Sequence, residues 1–164
     1  MSNAGKSSFV YVTYIRTTPE RLWSALTSKE FAQQYWLGAY LEADWKVGGS
    51  WKLMFPDGRV ADSGEIVAFE PSKRLSIRWR NEKPELKAEG WSFCTMEIEP
   101  VADAVKLTTT HSIEREGSKL IDAVSDGWPQ VLSNLKSLLE TGAVVLEPKV
   151  LPMTEPTQPA NQET

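Results

Sequence analysis

His111 is the single histidine of the chain and the one side chain whose ordinary pKa suits proton transfer near neutral pH. A carboxylate beside an imidazole makes it a general base, and Asp122 and Asp126, in the segment that follows, are the candidates for that partner. In the stretch VKLTTTHSI, Val105, Leu107, Thr109, His111 and Ile113 fall on one face of a strand, so the ring is expected to point inward. The same placement suits a hydrogen-bonded core histidine, and both readings stay open at this point. Cys94 is also alone, which leaves neither a disulfide framework nor a cysteine-based metal cluster. Together the two counts rule out the usual zinc sites and leave only an all-carboxylate site for a hard cation formally open. The chain contains no G-x-S-x-G, no G-x-G-x-x-G strand-helix turn and no P-loop, so no nucleotide cofactor is expected and no nucleophilic serine stands out. Glu97 and Glu99, two residues apart and opposite Met96 and Ile98, read as a solvated outer face.

The elements that must position these residues are dominated by residues 118–141, SKLIDAVSDGWPQVLSNLKSLLET. Their apolar residues recur at intervals of one, three and four, the pattern of a helix with one buried stripe. Such a helix would be roughly 35 Å long and would cross a whole small domain. Pro129 has no backbone donor, so Gly127-Trp128-Pro129 predicts a kink or a fresh helical start, with space beneath it. Nearly everything before this helix reads as strand. FVYVTYIR from Phe9 is a strand covered on both faces or at a sheet edge. Thr18-Pro19 and Ser28 then start two short helices, the second ended by Gly38. Strands follow at Tyr40–Trp45, Trp51–Phe55, Gly64–Phe69, Leu75–Arg80, Trp91–Glu99 and Val105–Ile113, with turns too short for crossovers, which makes the meander antiparallel. Residues 81–89, charged and containing Pro84, read as a loop.

The fold class is therefore α+β, with about seven antiparallel strands, two short helices after the first strand and one long C-terminal helix packed on the sheet. Residues 1–8 are expected to be a disordered N-terminus, 9–142 one domain, and 143–164 a proline-rich tail whose start, Val144 to Leu151, is apolar enough to fold back or meet a partner. A net charge of −4 with the lysines and arginines scattered singly argues against nucleic acid, which requires a concentrated basic face. No apolar run reaches the ~20 residues of a membrane span and the N-terminus lacks a signal-peptide core, so a cytoplasmic location is expected. An incompletely covered outer sheet face, with Val144, Val145 and Leu146, makes a homodimer an expectation as well.

Four strings carry a family resemblance: TTPERLWSALTSKEFAQQYW, GGSWKLMFPDG, GEIVAFEPSKRLSIRW and GWPQVLSNLKSLLETG. In this order they resemble the bacterial proteins related to the C-terminal domain of the activator of the 90-kDa heat-shock chaperone's ATPase. That family belongs to the START-like, or SRPBCC, helix-grip superfamily, and the resemblance covers about residues 9–142. It implies a curved seven-stranded antiparallel sheet gripping the C-terminal helix with a hydrophobic cavity between them. The superfamily's functions are diverse, so the fold does not choose among them. The eukaryotic activator carries a separate chaperone-binding domain to which nothing here corresponds, so a chaperone partner rests on the resemblance alone.

Seven tryptophans in a chain of this length supply more aromatic surface than one helix needs for packing, although most of them can serve in the core. The expected cavity wall comprises Trp51, Leu53, Phe55, Ile66, Trp79 and Met96 from the sheet, Trp36 from the short helices, and Trp128, Leu132 and Leu135 from the long helix, with His111 as a polar contact. The leading functional expectation is binding of a small hydrophobic molecule or lipid. The alternatives are a cyclase- or hydrolase-type enzyme using His111 in the same cavity, and a chaperone-linked interaction module.

Overall fold

Residues 5–147 are described by the computed structural model. Seven strands form one antiparallel sheet: β1 (Ser7–Ile15), β2 (Tyr40–Ala43), β3 (Ser50–Met54), β4 (Val60–Glu70), β5 (Arg74–Asn81), β6 (Ser92–Val101) and β7 (Ala104–Ile113). Their order is β1-β7-β6-β5-β4-β3-β2, so six consecutive strands run as a meander and β1 closes the far side beside β7. Between β1 and β2 lie α1 (Pro19–Leu26) and α2 (Lys29–Tyr35), a single turn α3 (Pro84–Lys87) follows β5, and α4 (Lys119–Thr141) ends the fold. This is the expected α+β architecture.

Local chemistry sets the helix starts. Thr18 and Ser28 are extended residues whose hydroxyls accept from the N–H groups of Arg21 and Phe31, at 3.1 and 3.2 Å. Each satisfies a donor that the first turn otherwise leaves unpaired. Ser118 does the same for Ile121 at 3.0 Å, and the Glu89 carboxylate adds a longer-range cap, accepting from Ser118 Oγ at 2.6 Å and from Lys119 N at 2.8 Å. The segment read from sequence as a loop thus contains a helical turn and ends in a residue that anchors the long helix. Gly142 closes α4 in the left-handed conformation, φ 86°, which a residue without Cβ adopts without strain.

Gly127-Trp128-Pro129, where a kink or a new helical start is expected, lies inside one unbroken helix of 23 residues. Once Trp128 and its neighbours pack on the sheet, tertiary burial outweighs the hydrogen bond that Pro129 removes. The core is the layer between the sheet and α4. Leu75, Ile77 and Trp79 of β5, Cys94, Met96 and Ile98 of β6, and Val105 and Leu107 of β7 meet Trp128, Val131, Leu132, Leu135, Leu138 and Leu139 of α4.

Two register shifts move side chains from their simple alternation. In β4, Val67 is an extra residue between Ile66↔Ile77 and Ala68↔Ser76. Ala61 is extra between Leu53↔Asp62 and Met54↔Val60. The second shift buries Met54 against the expected alternation and leaves Phe55 past the end of β3, in the turn before Pro56. At Gly64 a Cβ would lie 2.0 Å from the Arg78 carbonyl oxygen, so β4 and β5 approach there as only glycine allows.

The chain after α4 folds back as far as it is described. Asn134, fully buried on α4, accepts from the N–H groups of Val145 and Leu146 at 3.0 and 2.7 Å and donates to the Leu146 carbonyl at 2.8 Å. The prolines from Pro148 to Pro159, and with them most of the expected tail, lie outside the described residues, as do residues 1–4 of the expected N-terminal segment. Strand β1 itself begins at Ser7, two residues before Phe9.

Candidate functional site

A cavity of about 190 Å3 lies between the sheet and the first half of α4, room for a benzene-sized body with a few atoms more. Leu53, Asp62, Trp79 and Asn81 form its sheet side, from three neighbouring strands. Leu120, Val124, Gly127, Trp128 and Val131 form the helix side, while Trp36 and Leu86 close it from the ends of α2 and α3.

The indole rings at this wall are held by one another and by polar anchors. Trp128 meets Trp36 and Trp79 edge to face, with centroids 5.4 and 5.7 Å apart. Trp79 packs on Trp51 behind it at 4.4 Å. The Trp79 N–H donates to Asp62 Oδ2 at 2.7 Å, and the Trp128 N–H donates to His111 Nδ1 at 3.2 Å. Two of the three wall indoles are therefore fixed in rotation.

His111 is fully buried, and its tautomer follows from its partners. An indole N–H can only donate, so Nδ1 is the acceptor and Nε2 carries the proton. That proton points to Ser92 Oγ at 2.9 Å, and the Ser92 hydroxyl passes its own to the Trp79 carbonyl at 3.0 Å. Both ring nitrogens are thereby used, and burial holds the imidazole pKa down to about 3. The expected carboxylate partners Asp122 and Asp126 are exposed on α4, and among the described residues neither bonds the ring. His111 thus has no lone pair to offer a substrate. It is the tie between β6, β7 and α4 that positions Trp128.

The polar group at the cavity is Asp62, which the sequence reading did not single out. It is 6% exposed, stands opposite Asn81 in the register, and receives Asn81 Nδ2 at 2.9 Å in addition to Trp79. Both donors reach Oδ2, and among the described residues no hydrogen bond reaches Oδ1. Burial pushes this carboxyl up to about 6, with the two hydrogen bonds pulling the other way and the like charge of Glu82 adding to the rise.

Of the expected wall residues, Trp36, Leu53, Trp79 and Trp128 line the cavity. Trp51, Ile66, Met96, Leu132 and Leu135 are buried in the core behind it, and His111 sits behind Trp79 and Trp128. Phe55 instead borders an adjoining cleft of about 400 Å3, with the Arg59 guanidinium 4.7 Å from its ring centre. Asn81 and Leu86 are shared by cleft and cavity. Asp62 and Asn81 leave little trace in the sequence because they lie beside the Pro56-Asp57-Gly58 turn and at the start of the charged segment 81–89. The one available signal was the inward position of Asp62, two residues before Gly64 and four before Ile66. Among the described residues no three His, Cys, Asp or Glu side chains are grouped to hold a metal ion, and no helix is long and apolar enough to cross a membrane.

A seven-stranded antiparallel sheet with a long C-terminal helix laid across it, and a pocket between the two, defines the helix-grip class. Within that class the chain belongs to the family described as Activator of Hsp90 ATPase homolog 1-like protein, whose profile matches residues 16–140. The chain is similar to protein MLL2253 from Mesorhizobium loti, known from an X-ray structure. Identity is 27% and the TM-score 0.70, over 81% of this chain and 96% of that one. It is also similar to the Aha1 dimer from Colwellia psychrerythraea, solved in solution, at 20% identity and a TM-score of 0.66, over 83% of this chain and 98% of that one. PFC0360w from Plasmodium falciparum, described as an HSP90 activator, is 22% identical with a TM-score of 0.65, over 80% of this chain and 95% of that one. At those identities the last two likenesses concern the fold alone. Among curated proteins the chain has no significant match.

Proposed function

We propose that this protein binds a small, mostly apolar molecule in the cavity between the sheet and α4. The observation that carries the reading is the cavity's construction: aliphatic and indole walls from three strands and three helices, with a single buried carboxylate among them. Apolar contact supplies affinity in such a site, and one or two polar groups orient the guest. His111 supports this reading rather than catalysis, because its nitrogens are spent on holding the wall.

Titration with toluene, followed by tryptophan fluorescence, tests it, since Trp36, Trp79 and Trp128 border the space. A saturable change is expected. Gly127 lines the cavity, and a Cβ built there meets no heavy atom within 4 Å, so Gly127→Leu can project into open space. That variant should weaken binding by about tenfold or more while remaining folded by circular dichroism. No saturable change in the wild type, or equal binding in a folded Gly127→Leu, would overturn the reading.

A second reading concerns assembly. Val10, Val12 and Tyr14 on the outer face of β1 are 55, 44 and 51% exposed, and Phe93 of β6 is 44% exposed. Between them the register sets Thr108, Thr110 and Ser112, with Lys106 opposite Tyr14 and Glu97 opposite Thr108, giving a partly apolar strip with a charged end suited to a second copy of the chain. Light scattering of the wild type and of Val12→Lys checks this: a dimer that the substitution makes monomeric is expected, and a wild-type monomer at high concentration would end the idea.

A further inference from the structure

Accepting the cavity as a ligand site, the placement of Asp62 says what kind of ligand it takes. Oδ2 is saturated by Trp79 and Asn81, whereas Oδ1 receives no hydrogen bond among the described residues. Asp62 also forms no ion pair there, and the charge that acts on it is the like-signed Glu82, which is itself paired with Lys87 at 3.0 Å. A carboxylate drawn out of water without a counter-charge is costly, and the cost falls when a cation arrives with the ligand. The other wall groups favour the same chemistry. Trp36, Trp79 and Trp128 border the space, and indole rings attract organic cations through their electron-rich faces. An anionic ligand would meet the like charge of Asp62.

We infer that the cavity selects small apolar amines, with the ammonium group donating to Asp62 Oδ1 and the hydrocarbon body lying among Trp36, Trp79, Trp128 and Val131. The size suits a single ring with a one-carbon arm, since a dry cavity of about 150 Å3 already admits benzene. Asp62 is then a specificity-determining residue, and the indoles both desolvate the pair and attract its cation. Leu86 of α3 and Asn81 line both the cavity and the cleft bordered by Phe55.

Three benzyl probes separate this inference from the reading beneath it. Toluene, benzyl alcohol and benzylamine carry on the same benzylic carbon a hydrogen, a neutral hydroxyl donor or, at pH 7.5, an ammonium cation. Measured by tryptophan fluorescence or by NMR line shifts on the full chain, benzylamine should bind about tenfold to a hundredfold tighter than the other two, as a charge-assisted hydrogen bond implies. In Asp62→Asn the three affinities should converge. Toluene binding as tightly as benzylamine would overturn the selectivity and leave the cavity reading standing. Benzyl alcohol equal to benzylamine would show that a neutral donor suffices, which also overturns it. A benzylamine preference retained in Asp62→Asn would remove Asp62 from the role, and no binding of any probe would remove cavity and inference together. The wild-type comparison needs no substitution, so it stands even where the variant is unstable.

Discussion

The indole N–H of Trp128 reaches Nδ1 of His111 across 3.2 Å, and because an indole can only donate, this contact settles the protonation of a ring on another element. The helix and the sheet are thereby joined by a polar tie inside a mostly apolar layer. Such a tie contributes orientation more than net stability, yet it is expensive to break from one side.

Replacing His111 with Ala strands the Trp128 N–H and opens a cavity, so a loss of about 3 kcal/mol or more in unfolding free energy is expected. Urea denaturation measures it. An effect within the error of the method would mean that the ring does not tie the helix to the sheet.

Asp62 and His111 give stability opposite dependences on pH. The folded carboxyl titrates near 6, above its ordinary value, so its contribution is full below the unfolded pKa and is lost as pH rises through about 6. The folded imidazole titrates near 3, below its ordinary value, so its contribution is full above the unfolded pKa of about 6.5 and is lost as pH falls towards 3. Between pH 4 and 6 the two slopes, each about 1.4 kcal/mol per pH unit, oppose one another in the wild type. Asp62→Asn removes one of them. Its stability relative to the wild type should therefore rise by about 3 kcal/mol between pH 4 and pH 7.5, read from urea midpoints at both values. A difference independent of pH would contradict the assignment.

Asn134 holds the chain beyond α4 through three hydrogen bonds to the backbone of Val145 and Leu146. Asn134→Ala is expected to cost about 2 kcal/mol and to raise amide exchange at Val145 and Leu146 far more than at residues of the central strands. Unchanged exchange at those two amides is the result that would count against it.

Glu89 caps α4 from outside the helix, with Ser118 and Lys119 as its donors. Burial raises its carboxyl, but those hydrogen bonds outweigh it and hold the group below its ordinary range. Its support is thus present above the unfolded pKa and fades as pH falls through the folded one. Glu89→Gln should destabilise by about 1 kcal/mol at pH 7 and by less at pH 4. Thermal melts at the two values compare them, and an equal loss at both would argue for a role other than charge.

The order of elements, the antiparallel meander, the two capped short helices and the long amphipathic helix were all legible in the sequence, because each depends on neighbours within a turn or a strand. Thr18 and Ser28 cap helices through donors three residues on, and Val105, Leu107 and His111 share a face through a period of two. The meeting of distant residues was not legible. Asp62 gained its place from pairing with Asn81, and Phe55 lost the one expected for it, because β3 and β4 shift register by one residue at Ala61. His111 met Trp128 and Ser92 rather than Asp122 or Asp126 because α4 turns its carboxylates to solvent when its apolar stripe faces the sheet. Periodicity determines which way a side chain faces, whereas packing and register decide what it faces, and the chemistry of the cavity depends on the second.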